Sequence, residues 1–216
     1  MTGFTRLRAA RWFGRTMFVL LSIGWGALAS AQSLDVVCVE TDWKLVVENA
    51  DPARNAPQVS CVMSPTGGLE LPYMVFTLNH RGLPEFSPGG MQLQAWEGDV
   101  LLAVKEAPNT AMMQQPSETV EWTTRMILQN GVLTFEVVGG SSSTWGSFGG
   151  QGYLKASVST SLTNLNGFDP AVSAGNSGVG YSANRVQSFA VKGTRAWTST
   201  GEVLEDTTLR TIDLPE

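Results

Sequence analysis

The sequence is poor in the residues that most catalytic and metal-binding sites require. Its 216 residues include one histidine, two cysteines and three tyrosines, and only 15% of them are charged. One His and two Cys cannot complete a typical closed zinc site. A serine hydrolase needs a His base oriented by an acid, and the chain has no Gly-x-Ser-x-Gly elbow. These absences argue against a zinc site and against a serine hydrolase.

Long apolar runs are also missing, since a helix that crosses a bilayer needs about 20 apolar residues. The run Thr16–Ala29 falls short of that length, follows a basic stretch with four arginines and precedes the small residues Ala29-Ser30-Ala31. This order is typical of a secretory signal peptide. We predict that residues 1–31 are cleaved before Gln32, and that the mature chain is secreted, periplasmic or otherwise extracytoplasmic and has no transmembrane segment.

Basic charge is scarce once that segment is set aside. The sequence has 14 basic and 19 acidic residues, but four arginines and no acid lie in the predicted signal peptide. The mature chain then keeps 10 basic residues against 19 acidic ones, a net charge of −9. Nucleic acids and anionic membrane surfaces attract basic patches, so we expect neither as a partner.

The two cysteines are an even pair in a compartment that we expect to be oxidising, where such pairs usually bond. The alternation Val59, Cys61, Met63 directs Cys61 toward the core. We therefore predict a buried structural disulfide between Cys38 and Cys61. A redox pair would normally show Cys-x-x-Cys spacing, which is absent from the sequence.

Helical periodicity is not found after the predicted signal peptide. Short segments instead alternate apolar and polar residues between Gly, Pro, Asn and Ser, as antiparallel strands do. The clearest pair flanks Asn130-Gly131, a dipeptide favoured in type I′ hairpin turns. Alternation along the strands directs Trp43 and Trp122 toward the core. The predicted strands are Trp43–Glu48, Gln58–Ser64, Tyr73–His80, Gly90–Trp96, Val100–Lys105, Thr119–Leu128, Val132–Val138, Tyr153–Val158 and Arg185–Trp197.

This number of strands predicts an all-β fold, a two-sheet antiparallel sandwich or jelly roll. We place the domain at residues 32–200 and an acidic C-terminal tail at 201–216. The Gly- and Ser-rich segment Gly139–Gly152 is predicted to be a flexible loop.

Three segments resemble the concanavalin A-like lectin and glucanase superfamily, which includes the laminin G-like domains. Gly89–Trp96 resembles a central strand after a Gly turn, and Trp122–Val138 is similar to a long hairpin that ends in a Gly loop. Gly178–Trp197 resembles the closing strand. The resemblance spans Trp43–Trp197 and implies the jelly-roll form of the sandwich. Its motifs are patterns of strand and turn, so it bears on fold more than on activity.

Glycoside hydrolysis needs two carboxyl groups about 5 to 10 Å apart, which members of this superfamily usually carry on one strand as Glu-x-Asp-x-Glu. The nearest matches do not alternate along a strand, and we interpret them as solvated turn acids. They are Glu97-Gly98-Asp99, and Glu202 with Glu205 and Asp206.

A polysaccharide lyase of this fold needs a base and an Arg that neutralises a sugar carboxylate. His80 and Arg81 are the one place where such groups crowd together. Lyases of the superfamily typically carry a Gln-x-His strand, whereas this chain reads Gln92-Leu93-Gln94. The sequence therefore favours a protein that is not an enzyme, and His80 and Arg81 are the residues that a catalytic alternative would use.

Many members of the superfamily hold a structural calcium ion through loop oxygens. The loop candidates here contain a single carboxylate, whereas tight calcium sites generally use several. We therefore expect turn-forming residues and no cofactor. The candidates are Asn164, Asn166, Asp169 and Asn176.

Sugar binding requires an aromatic face and nearby amide groups. The strand Gly90–Trp96 puts Gln92, Gln94 and Trp96 on one side and its apolar residues on the other. On the neighbouring predicted strand, Tyr73, Thr77 and Asn79 alternate in the same way and extend this face.

Trp145 and Phe148 stand in the Gly139–Gly152 loop, and exposed aromatics usually contact something. The alternative interpretation is structural, with Trp145 capping the open end of the sandwich and Trp96 packed under a loop. The predicted ligand-binding residues are Trp96, Gln92, Gln94, Trp145 and Asn79.

These patterns together predict an exported, non-catalytic carbohydrate-binding domain whose partner is a carbohydrate or a cell-envelope polymer. A lyase or hydrolase on the same fold is the first alternative. A structural or adhesion module of the cell envelope is the second, and no feature of the sequence separates it from the first prediction.

Overall fold

Thirteen strands and one short helix make up the part of the chain that the computed structural model describes, residues 34–49, 57–79, 89–180 and 185–214. The helix, α1, spans Pro170–Asn176, and within these ranges no helix is long and apolar enough to cross a membrane. The strands are β1 (Val36–Val47), β2 (Gln58–Met63), β3 (Tyr73–Asn79), β4 (Gly90–Glu97), β5 (Val100–Pro108), β6 (Thr119–Gln129), β7 (Val132–Ser142), β8 (Gly146–Gly149), β9 (Lys155–Ser159), β10 (Gly178–Gly180), β11 (Val186–Thr198), β12 (Val203–Asp206) and β13 (Arg210–Thr211).

The strands form two antiparallel sheets that pack as a sandwich around one apolar core. The large sheet has the order β12-β11-β1-β6-β7-β8, with β13 also paired to β11 and β9 to β7. The small sheet has the order β10-β2-β3-β4-β5. The all-β, two-sheet antiparallel architecture predicted from the sequence is therefore confirmed.

Alternation along each strand separates a core side from an outer side, because successive side chains point to opposite faces. Trp43 of β1 and Trp122 of β6 face the core, as predicted, with 0% and 2% exposure. They are paired across the two strands, with ring centroids 6.3 Å apart and planes inclined by 9°. Phe189 of β11 packs on both rings at 5.8 and 6.0 Å. This aromatic cluster fills the middle of the core beneath the large sheet.

The β6–β7 hairpin turns where the sequence predicts. Asn130 and Gly131 have φ values of 52° and 72°, the positive values that a type I′ turn requires. The register pairs Arg125 with Glu136 on the outer side and Met126 with Phe135 on the core side. The hairpin thus has one buried and one solvated side.

The main additions to the predicted strands are short segments. β8 lies within the stretch predicted to be a flexible loop, while β12 and β13 lie in the predicted tail and pair with β11. Ile212 is only 3% exposed, so the sandwich continues beyond residue 200. β8, β10, β12 and β13 have two to four residues each, too few to show alternation in a sequence.

The predicted disulfide is wrong, because Cys38 and Cys61 are both free thiols. Cys61 faces the core from β2, as predicted, and is fully buried. Cys38 lies on the outer side of β1, opposite Ile127 of β6. A bond to Cys61 would have to pass through the large sheet, whereas a disulfide needs Cβ atoms about 4 Å apart. The even number of cysteines predicted a bonded pair. However, Cys38 and Trp43 are an odd number of residues apart on β1, so Cys38 points outward when Trp43 points inward.

Candidate functional site

The register between β3 and β4 assembles most of the predicted face on the outer side of the small sheet. Tyr73 lies opposite Trp96, Val75 opposite Gln94, and Thr77 opposite Gln92. The intervening residues of both strands are buried in the core and fix this orientation. They are Met74, Phe76, Leu78, Met91, Leu93 and Ala95.

One half of this face is buried and internally bonded. Asn79 is 0% exposed and Gln92 is 6% exposed, although both point away from the core of the sandwich. The Nε2 of Gln92 donates to Oε1 of Glu106 on β5 at 3.0 Å, and Ser60 and Thr77 share a hydrogen bond of 3.1 Å. These buried side chains form a polar row that is not open to a ligand.

The other half of the face is partly exposed, and we refer to Tyr73, Val75, Gln94 and Trp96 as the Tyr73–Trp96 face. The Trp96 indole N–H donates to Oε1 of Gln94 at 3.1 Å, which orients the ring and the amide together. No acceptor for the Gln94 amide N–H groups lies among the described residues. On the β5 side the face continues into Leu101, which is paired with Trp96.

Tyr73 is held at the rim of this face by the turn that joins β4 to β5. Its hydroxyl donates to the carbonyl oxygen of Gly98 at 3.1 Å. Burial, followed by the nearby Asp99 carboxylate, raises the pKa of the Tyr73 phenol. The phenol therefore stays neutral and offers an aromatic ring beside Trp96.

Trp145 is not part of the Tyr73–Trp96 face. It lies between β7 and β8 of the large sheet, where its ring stacks on Phe148 with centroids 4.9 Å apart. Both rings pack against the core, although they stand in a segment that the sequence predicts to be a flexible loop. The Phe148 ring occupies space that Gly140 leaves open, since a Cβ at Gly140 would come within 2.3 Å of it. Trp145 thus packs against the core and on Phe148.

The residue that anchors Trp145 is Glu118, which the sequence analysis missed. Glu118 is 1% exposed, and its Oε1 accepts from the Trp145 indole at 2.5 Å, from the Met113 amide at 3.0 Å and from Ser142 Oγ at 3.1 Å. Its Oε2 is buried with no partner among the described residues. No sequence motif marks such a carboxylate, because its donors come from three separate segments.

The catalytic candidates are not assembled into a site within the described ranges. His80 and Arg81 lie outside the described residues. Glu97 is the last residue of β4 and Asp99 lies in the β4–β5 turn, while Asp206 of β12 pairs with Arg210 at 2.5 Å. Asp99 is thus held in a turn, and Asp206 is held in a local ion pair.

In the loop considered for calcium, side-chain oxygens accept hydrogen bonds from backbone amides. Asp169 accepts from the Ala171 amide at 2.8 Å and caps α1, and Asn166 Oδ1 accepts from the Val36 amide at 2.8 Å. Asn164 Oδ1 accepts from the Asn166 amide at 3.1 Å. No group of three or more His, Cys, Asp or Glu side chains in the described ranges is arranged to hold a metal ion.

An open groove of about 810 Å³ at one end of the large sheet is lined by Cys38, Ile127 and Leu162, among others. Burial raises the pKa of the Cys38 thiol to about 11. A thiol that stays protonated at neutral pH is a weak nucleophile, so this groove does not offer cysteine chemistry. Its lining is mainly apolar.

No protein-family model matches the chain, and no curated protein shows significant similarity to it.

Proposed function

We propose that the protein is an exported, non-catalytic carbohydrate-binding domain that contacts its ligand through the Tyr73–Trp96 face. The observation that carries the proposal is the pairing of Tyr73 with Trp96 on the outer side of the small sheet, next to the Gln94 amide. Aromatic rings cover the apolar face of a pyranose, and amide groups bond its hydroxyls. Partial exposure of all three side chains supports this use.

Gln92 and Asn79 have a supporting role in this proposal because they are buried. Gln92 ties β4 to β5 through Glu106 and so fixes the strand that carries Gln94 and Trp96. Trp145 is assigned to the fold, since its indole N–H is already bonded to Glu118. Ligand contact is therefore assigned to Trp96, Gln94 and Tyr73.

The proposal includes the finer features inferred from the sequence. The two-sheet sandwich supports a concanavalin A-like jelly roll, and the basic, apolar and small-residue segments of residues 1–31 support export with a cleaved signal peptide. The net charge of the chain beyond residue 31, −9, favours a neutral glycan or envelope polymer over an anionic one.

Glycan-array binding of the mature protein tests the proposal, with Trp96→Ala and Gln94→Ala as variants. We expect a wild-type signal on a defined set of glycans and its loss in Trp96→Ala. The matched control is Val132→Ala, an exposed side chain on β7 of the other sheet. Wild-type silence across a broad array contradicts carbohydrate binding.

The catalytic alternative predicts turnover of the bound glycan. Release of reducing ends, or of unsaturated products that absorb in the ultraviolet, measures hydrolase and lyase activity respectively. We expect neither from wild-type protein incubated with its array ligands. Turnover that is lost in His80→Ala would replace the binding proposal with an enzyme.

A further inference from the structure

The free edge of the small sheet is a long apolar strand. β5 has nine residues and pairs with β4, and no strand within the described ranges pairs with its other side. Val100, Leu101, Leu102 and Val104 are 61%, 44%, 39% and 42% exposed. An unpaired edge that carries apolar side chains is a template for another strand.

The backbone of β5 is oriented for such pairing. The Asn109 N–H donates to the Gly89 carbonyl at 3.0 Å, immediately beyond the β4–β5 ladder. Opposed residues in an antiparallel ladder alternate between hydrogen-bonded and non-hydrogen-bonded pairs. Counting back along the continuous register, Val104 and Glu106 occupy non-hydrogen-bonded pairs with β4. Their N–H and C=O groups therefore point to the free edge.

We propose that a second copy of the chain occupies this edge, with the two β5 strands antiparallel about a two-fold axis at Val104. Val104 then exchanges reciprocal backbone hydrogen bonds with its counterpart, and Glu106 is set opposite Leu102 of the second copy. Pro108 has no N–H to donate, so it ends the paired segment.

Like charges exclude the registers on the C-terminal side of this axis. An axis at Lys105 or at Glu106 would set that residue against its own counterpart, and like charges directly opposite destabilise a strand pair. With the axis at Val104, Lys105 lies opposite Ala103 and Glu106 lies opposite Leu102. No like charges are opposed, and an exposed apolar side chain meets its own copy at the axis. The edge is thus self-complementary in this arrangement.

The dimer would join the two small sheets into one continuous sheet. Because the two-fold axis is normal to the sheet, the outer sides of both copies stay on the same side. The two Tyr73–Trp96 faces would then be presented together, which raises the avidity for a repeating polymer without any new contact. The pairing itself depends only on the edge and stands whether or not the face binds a glycan.

Sedimentation of the mature protein over a wide concentration range tests the pairing. We expect a reversible monomer–dimer equilibrium, and a dissociation constant raised by about tenfold or more in Val104→Lys, whose charges would meet at the axis. Val203→Lys is the matched control, because Val203 is 51% exposed on a strand at the edge of the large sheet. A wild-type monomer at every concentration overturns the proposal, as does a Val104→Lys dimer as strong as wild type.

Amide hydrogen exchange locates the interface independently of the variants. The amides of Val104 and Glu106 should become protected only at concentrations where the dimer forms. The amide of Lys105, bonded to β4, should exchange slowly in both states and serves as the internal reference. A dimer in which the Val104 and Glu106 amides exchange as fast as in the monomer overturns the proposal.

Discussion

The indole N–H of Trp145 donates a hydrogen bond to Oε1 of the buried Glu118 carboxylate across 2.5 Å. This bond joins the β7–β8 connection to the segment that precedes β6, 27 residues earlier in the chain. A tryptophan whose N–H is bonded and whose ring stacks on Phe148 serves the fold. The sequence predicted two tryptophans, Trp96 and Trp145, as ligand-binding residues. Because Trp145 serves the fold, Trp96 remains the candidate for ligand contact.

Replacing Glu118 should destabilise the fold, and the loss should be larger when more of its acceptor oxygens are removed. Glu118→Ala leaves the donors of Met113, Ser142 and Trp145 without their acceptor, and an unpaired buried donor costs about 1–3 kcal/mol. We expect the free energy of unfolding to fall by about 3 kcal/mol. Glu118→Gln keeps one acceptor oxygen and should lose less. Denaturant unfolding followed by tryptophan fluorescence measures both, and a Glu118→Ala midpoint equal to that of wild type contradicts the assignment.

The cysteines should behave as free thiols of different accessibility. Because burial raises the pKa of Cys38 to about 11, little thiolate is present at neutral pH, and labelling should be slow and accelerate as the pH rises. Cys61 is fully buried and should react only after unfolding. Cys38→Ser should therefore remove all labelling of the folded protein. A Cys38–Cys61 cross-link in a non-reducing peptide map of the folded protein would contradict the positions described.

Glu40 should contribute more to stability than the other acids on the outer side of the large sheet. Its side chain is 10% exposed and accepts from Arg125 Nε at 2.7 Å and Arg195 Nη2 at 3.1 Å. Glu40→Ala leaves two half-buried guanidinium groups without their shared partner, so we expect a loss of about 2 kcal/mol.

Glu121→Ala is the matched control for that experiment. Glu121 pairs with Lys192 at 3.0 Å, but its side chain is 40% exposed, and such pairs contribute less than about 1 kcal/mol. Chemical denaturation of both variants gives the comparison. Equal decreases in the free energy of unfolding for Glu40→Ala and Glu121→Ala would contradict the claim that burial makes Glu40 contribute more to stability.

Alternation in the sequence was enough to predict the sandwich and the composition of the β3–β4 surface. It assigned Trp43 and Trp122 to the core, and it grouped Tyr73 with Trp96. These results follow from the period of two along a strand, which is a local property. The same period, applied through Trp43, would also have turned Cys38 away from Cys61.

Alternation could not predict which residues on the outer side of a sheet are buried, or which distant segments of the chain pair. It shows which side of a sheet a residue occupies, not whether other residues cover it, so the burial of Gln92 and Asn79 was unpredictable. The Glu118–Trp145 bond depends on segments brought together only by the fold. β12 and β13 are defined by their pairing with β11, and strands this short carry no pattern of their own.

The central claim is that Trp96 contacts the glycan whereas Trp145 serves the fold. Comparing the glycan affinities of a Trp96 variant and a Trp145 variant tests it most directly. Calorimetric titration with the tightest array ligand compares wild type, Trp96→Ala and Trp145→Phe, the last of which keeps an aromatic ring against Phe148. We predict that Trp96→Ala weakens binding by about 30-fold or more, as loss of a central aromatic contact does, and that Trp145→Phe binds within about twofold of wild type. Binding that survives Trp96→Ala and is lost in a folded Trp145→Phe would contradict the account.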